Sequence, residues 1–478
     1  MGKGGRSDPP LVAAAAAAAA AEDEQLKPVW SSGVPFYPPS SRYWRIGGEW
    51  YDLEPFLDKH PGGAEILRLS RDRFEDCTHV FESHHHDYKR ARAVLAKYKV
   101  PSELVHASIR HRPAKPPTYQ LNGRDGPTVH GAMLDADRCP KLLDDAAFYS
   151  VMRKRLADHL RAVHCREGGP TIGCCVLFWA TFAGWVGSWT LTYQSGSLLG
   201  ALCWGVAATL LGAFGHNWVH QPRYKLWAYL SLDTVGFSSD GWYREHLLQH
   251  HMYTNTPWDN HFLGTDPFLV VDPTVPRKWW QRAVTPFINP LLLTFGLYAN
   301  YTAHLLEMLA GRERWRPTKL LLPLQIGLML QAWGWRGLLL TYLANSVLGI
   351  WYFSLALMNH NGEHTHDVDA RNGARDWGAA QLCASCDWAV HLPFYRAGIY
   401  LWLNFHTIHH LFPRLDFSHH PAAQRILLDA CQASPPSTPT LTLTLTPTRT
   451  RTPNPGVWCQ VHDGYLRADL QGDGALFP

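Results

Sequence analysis

With 478 residues the chain is too long for one compact core, and two or three structural units are expected. Its formal net charge of +4, with no basic stripe carrying interleaved aromatics, excludes a nucleic-acid partner as the basis of its activity. The 10 cysteines are scattered rather than set in a disulfide framework, which suits a reducing compartment, and the one CxxC, Cys383/Cys386, lacks the second pair that a zinc site needs. Residues 1–40 read as a disordered leader with a run of nine alanines, followed by a proline-rich linker. A transit peptide is the alternative reading of this leader. From 41 to 100 aromatic and aliphatic residues mix with charges, as in a small folded domain. Residues 101–145 are again rich in Pro and Gly and read as a second linker.

Residues 146–431 hold long apolar stretches, and 21 Trp in the whole chain suit a large membrane interface. Four transmembrane helices are expected, at Ile172–Tyr193, Ser197–Gly215, Leu320–Trp335 and Leu338–Met358. Arg153, Lys154, Arg155 and Arg161 precede the first, which places that side in the cytosol. Phe287–Leu309 is also apolar but contains Asn289, Asn300, His304 and Glu307. A crossing there would put the histidines before and after it on opposite faces, so this helix is expected to lie in the interface plane. Residues 432–478 form a low-complexity tail of Thr, Pro, Leu and Arg, expected to be disordered.

Three histidine groups border the apolar stretches: His216 and His220; His246, His250 and His251; His406, His409 and His410. Residues three or four apart share a helix face, so each group can aim two imidazoles at one spot. Eight nitrogens are too many for one ion and right for two. Iron with open positions can activate dioxygen, whereas zinc has no redox chemistry. A site at the membrane face points to a lipid chain as substrate.

HxxxH, HxxxHH and HxxHH around paired spans resemble the histidine boxes of the membrane fatty-acid desaturases, over residues 145–430. The resemblance implies two non-haem iron ions in a cytosolic site above an acyl tunnel, in an all-α integral membrane domain with four transmembrane helices. It also implies a further ligand after the fourth span, for which His360 is favoured and His364 held in reserve. His261, His366, His419 and His420 read as surface or structural residues. Glu245, Glu363, Asp240 and Asp266 are candidates to orient the imidazoles, with solvated surface the commoner role for any one of them.

His60-Pro61-Gly62-Gly63 sits in WYDLEPFLDKHPGGAEIL, and FESHHHDY follows about two dozen residues later. Together these resemble cytochrome b5, a small α+β domain, and imply haem b held by His60 and one of His84, His85 and His86, with His85 favoured. Two histidine ligands leave no open position, so this haem carries electrons. The resemblance further implies an NADH-dependent cytochrome b5 reductase as donor and O2 as co-substrate. An N-terminal haem domain of this type is typical of front-end desaturases acting on long-chain, polyunsaturated acyl lipids, and also of sphingoid long-chain-base desaturases. Both usually begin the third box with Gln, where this chain has His406. A hydroxylase on the same scaffold and a non-catalytic membrane haem carrier are the other readings. The cytosolic face of the endoplasmic reticulum is the expected location, with the plastid as alternative.

Overall fold

A computed structural model describes residues 42–73, 76–105, 142–255, 259, 261, 269–270, 276–311, 315–362, 365 and 377–433, with short strand segments at 29–31, 34–36, 120–121, 124–125, 442–444, 457–462 and 465–470. The alanine run, His364, His366, Glu363 and Asp266 lie outside the described residues.

The first unit is a small α+β domain. Strands β1 (Trp44–Ile46), β2 (Glu49–Tyr51) and β3 (Lys99–Val100) form an antiparallel sheet, with Trp44 opposite Tyr51 and Trp50 opposite Val100. Gly47 and Gly48 have positive φ, the conformation that lets β1 turn tightly into β2. Helices α1 (Ala64–Arg73), α2 (Thr78–His84) and α3 (Tyr88–Leu95) complete it. Trp44, Ile46, Tyr51, Leu53, Leu57 and Leu95 fill the core.

The second unit is helical. Helix α4 (Phe148–Ala162) precedes an apolar hairpin of α5 (Ile172–Ser195) and α6 (Leu198–Val219). Gly196, at φ 61°, ends α5, and the Ser197 hydroxyl accepts from Gly200 N–H to start α6, so two residues suffice for the turn. After α7 (Lys225–Val235) comes a π-helix, α8 (Trp242–His250), then α9 (Trp279–Leu309). A second hairpin, α10 (Leu321–Trp333) and α11 (Trp335–His360), turns at Gly334. Short helices α12 (Trp377–Ala384) and α13 (His406–Leu411) and the terminal α14 (His420–Ala433) close the unit. Trp333 Nε1 donates to the Tyr193 carbonyl and Arg336 to that of Gly196, so both hairpins turn at the same end. Their return helices, α6 and α11, then deliver His216 and His360 together at the other end. Gly205 permits this: a Cβ there would stand 2.6 Å from the Ala344 carbonyl oxygen of α11.

Three helices, α5, α6 and α11, are long and apolar enough to cross a membrane. Val176, Val186, Leu199 and Leu339 are exposed along them, as lipid-facing side chains would be. The fourth expected span is shorter than its sequence suggested: α10 has 13 residues and a length of about 20 Å against roughly 30 Å of hydrocarbon. Gly334 stops it, since its φ of 55° and ψ of −137° break the helix. Helix α9 meets the middle of α11, where Asn345 donates to the Tyr298 hydroxyl and the Leu293 carbonyl lies against Gly349. In the tail, residues 442–444 pair in parallel with 457–462, which pair antiparallel with 465–470.

The small α+β domain and the helical unit share one continuous core. Glu82 of α2 is buried against the Arg153 guanidinium of α4 and also accepts from Arg92 at 2.6 Å. On the far side of the contact, Arg316 reaches Glu65 at 3.1 Å and Asp240 at 2.7 Å.

Candidate metal and haem sites

The histidines named from the sequence gather into two buried nests. His216, His220, His246, His251 and His409 form one; His250, His360, His406 and His410 form the other. In the first, His216 Nε2 lies 2.7 Å from His246 Nε2 and 3.0 Å from His409 Nε2, and His251 Nε2 is 3.0 Å from His246 Nε2. In the second, His360 Nε2 is 2.7 Å from His406 and 3.1 Å from His250, and His406 is 3.2 Å from His410. An ion bound at about 2.1 Å by imidazoles sets adjacent ligand nitrogens roughly 3 Å apart, so these spacings fit metal ligands. Both ring nitrogens of the buried His220 lack a partner among the described residues, an orphaned state that an ion would relieve.

Helix sharing, as read from the sequence, needs one correction. His246 and His250, four apart, fall in different nests, though with His261 they form a third group between the two, while His246 and His251, five apart, share one nest. The cause is the π-helix, whose wider turn aligns i with i+5.

Burial first, then the crowd of neighbouring imidazoles, pushes His220, His246, His251, His406, His409 and His410 well below the usual histidine range. Neutral rings are the form that binds metal. Several are held in one tautomer. His250 Nδ1 lies 2.9 Å from an Asp259 carboxylate oxygen, His410 Nδ1 3.0 Å from Gln381 Oε1, and His360 Nδ1 3.1 Å from the Ala384 carbonyl. Oxygen acceptors there require Nδ1–H, which leaves each Nε2 lone pair aimed into the nest.

Of the acids considered from the sequence, neither described one meets a nest histidine or lies on solvated surface. Glu245 is buried beside His304 at 3.3 Å, and Asp240 beside Arg316 and Lys319. Asp259 and Gln381 occupy those positions instead. His261, read as peripheral, stacks on His250 at 4.6 Å and on His246 at 5.2 Å. The run W-D-N-H that follows the second box carries Asp259 and His261 together and was the available signal. His419 and His420 bond the Gly169 and Leu415 carbonyls and sit outside both nests.

In the α+β domain His60 and His85 face each other, ring centres 6.2 Å apart. Their Nδ1 atoms donate to the Gly63 and Phe81 carbonyls, at 3.2 Å and 2.7 Å, which frees both Nε2 atoms. An iron about 2 Å from each nitrogen, with ring centres roughly 1 Å further out, needs about 6 Å between rings. Burial lowers both histidines, His85 to about 3. His84 turns away and donates Nδ1–H to the Val80 carbonyl at 3.0 Å, and His86 packs on Phe412.

A bis-histidine haem cradle joined to a membrane-helix unit with two histidine nests defines a membrane-bound, metal-dependent oxidoreductase. Comparison with protein families agrees: the fatty acid desaturase family matches residues 187–441, and the cytochrome b5-like heme/steroid binding domain matches residues 36–101. The chain belongs to the fatty acid desaturase family, with a cytochrome b5 domain at its N-terminal side, and its cofactors are haem and a di-iron centre. Among curated relatives, Cytochrome b5-related protein of Drosophila melanogaster is 26% identical over 410 residues, covering 80% of this chain and 81% of that protein. Acyl-lipid (7-3)-desaturase, chloroplastic, of Chlamydomonas reinhardtii is 25% identical, covering 80% of this chain and 74% of that protein. Acyl-lipid (8-3)-desaturase of Mortierella alpina is 26% identical, covering 81% and 86%.

Proposed function

We propose that this chain is a front-end acyl-lipid desaturase that inserts a double bond into a long-chain polyunsaturated acyl group, using O2 and electrons relayed through its own haem domain. What carries the reading is the convergence of nine imidazoles into two nests at the histidine end of the apolar hairpins. His216, His220, His246, His251 and His409 hold one iron, and His250, His360, His406 and His410 the other. His60 and His85 hold the haem. His406 stands where relatives of this type usually have Gln, and its 2.7 Å approach to His360 supports a ligand role. The names of two relatives, both acyl-lipid desaturases, support the substrate class.

The di-iron centre supplies dioxygen activation, by which hydrogen leaves two adjacent methylenes and water forms. Burial holds the imidazoles of His220, His246, His251, His406, His409 and His410 neutral. The protein fixes the tautomers of His250, His410 and His360 through Asp259, Gln381 and the Ala384 carbonyl, and its packed core keeps bulk water from the nests. An NADH-dependent cytochrome b5 reductase is the proposed electron source. The short helix α10, extended by the 3-10 turn Pro317–Leu320, serves as the fourth crossing. Lys319 beside Asp240 at one end and Trp333 beside Tyr193 at the other support that assignment. The proposed location is the cytosolic face of the endoplasmic reticulum, with the plastid as the alternative.

Mass spectrometry of lipids from yeast expressing the chain and fed a panel of unsaturated fatty acids tests this reading. A product two mass units lighter, with the new double bond on the carboxyl side of an existing one, is expected. A product one oxygen heavier assigns hydroxylation instead, and a desaturated long-chain base assigns a sphingolipid substrate.

A further inference from the structure

The turn of α2 that carries His85 does not end at the haem cradle. Its preceding residue pair, Ser83 and His84, is buried against residues that directly follow two histidine boxes. Ser83 Oγ lies 3.8 Å from the Met252 sulfur, and Met252 is bonded in sequence to His251 of the first nest. The Ser83 carbonyl lies 3.4 Å from the Tyr149 hydroxyl, which donates at 2.5 Å to the Leu411 carbonyl. Leu411 follows His410 of the second nest. Arg414 then donates to the His84 carbonyl at 3.1 Å and holds this turn in place. Ser83 Oγ also reaches the Val80 carbonyl at 3.2 Å and His84 Nδ1 at 2.8 Å, which fixes the hydroxyl in place, so its approach to the Met252 sulfur is a packed contact. Tyr149 is fully buried and stacks on Phe412 at 5.7 Å, which fixes its hydroxyl between the two carbonyls.

We infer that Ser83 is a branch point for electrons inside the chain, with Met252 relaying to the nest of His251 and Tyr149 relaying to the nest of His410. This rests on the reading that the fused haem feeds the di-iron centre. Each passage moves one electron: the haem iron goes from ferrous to ferric and one iron of the centre from ferric to ferrous. No bond is made or broken, and no proton need cross. Two passages deliver the two electrons of one turnover, and the reductase restores the ferrous haem between them. The Met252 branch crosses one packed contact, from Ser83 Oγ to the sulfur, and the Tyr149 branch crosses two, one on either side of its hydroxyl. The neighbouring Glu82–Arg153 and Glu65–Arg316 pairs lead into no histidine of either nest. Met252 and Tyr149 act through other groups and are positioning residues, touching neither substrate nor metal.

The experiment is photoreduction of the haem in the full-length, haem- and iron-loaded protein under argon, without substrate or O2. Decay of the reduced haem band then reports transfer rather than turnover. The variants are Met252→Leu, which keeps volume and removes sulfur, Tyr149→Phe, which keeps the ring and removes the hydroxyl, and the double variant. Haem spectrum, haem midpoint potential and iron content are expected to stay at wild-type values. In the double variant the haem band is expected to decay about tenfold more slowly, equivalent to roughly 1.4 kcal/mol on the barrier. Each single variant is expected to show a smaller slowing. Wild-type decay in the double variant, with spectrum and iron intact, overturns the relay. Should the double variant fail to fold, wild-type decay in both single variants overturns it equally. If the wild-type protein itself shows no transfer from haem to iron, the donor role of the haem domain fails first, and the relay with it.

Discussion

Asp259 lies beneath His250 and forms the one carboxylate contact that either nest makes among the described residues. It accepts from His250 Nδ1–H at 2.9 Å, which leaves the Nε2 lone pair of that ring aimed into the nest. Asp259→Asn should therefore weaken metal binding by about 10- to 100-fold, as for other partners that orient ligands. Iron retained after dialysis against a chelator, with the haem band as internal standard, checks it. Asp387 is a different case: buried and accepting from the Thr407 N–H at 2.7 Å, it is pushed up to about 7 by desolvation. Its folded pKa thus exceeds the unfolded value, so the folded state binds the extra proton. Its contribution to stability falls as pH rises from about 4 to about 7 and is flat above. Asp387→Asn should remove that slope, seen as a difference in Tm against pH between variant and wild type. The ligand candidates themselves were legible because histidine is scarce and their spacing is short. Asp259, Gln381 and His261 were not, because loop residues meet the nests through tertiary folding and follow no period.

Helix α2 is tied to α4 by a charge pair that is almost wholly shielded from water, Glu82 being 1% and Arg153 0% exposed. Glu82→Gln leaves the guanidinium buried without its counter-charge and should cost about 3–5 kcal/mol. Faster amide exchange in α2, together with easier proteolytic release of the first domain, would register that loss. At the α6–α11 crossing, Gly205→Leu places a side chain against backbone, the Ala344 carbonyl, and forces the helices apart. A cost of about 1–3 kcal/mol follows from overpacking, with loss of iron as the more sensitive readout because His216 and His360 ride on these two helices. The long helices were readable from their apolar runs. The π-turn of α8 was not: composition does not distinguish 3.6 residues per turn from a wider one, and only the division of His246, His250 and His251 between nests exposes it.

Across the whole molecule, the two-unit plan followed from composition shifts at residues 41, 101 and 146, whereas helix ends and contacts did not. A 16-residue apolar stretch was already short for a span, and Gly334 ends the helix there at 13 residues, while α9 packs against α11 through Leu293 and Tyr298. Removing the haem isolates what each unit does. His60→Ala should abolish the haem band and most product while leaving iron content unchanged; undiminished product would mean that a separate donor serves the nests.

The buried Glu82–Arg153 pair has a further consequence for how such a protein behaves in a crowded or sparse bilayer. A mobile carrier must find its acceptor by lateral diffusion, and its encounters thin out as lipid is added. Here donor and acceptor are welded at fixed stoichiometry, so on the proposed relay their encounter is unimolecular. The transfer step itself would then be indifferent to lipid-to-protein ratio, and only the encounters with the reductase and the lipid substrate would be left to diffusion.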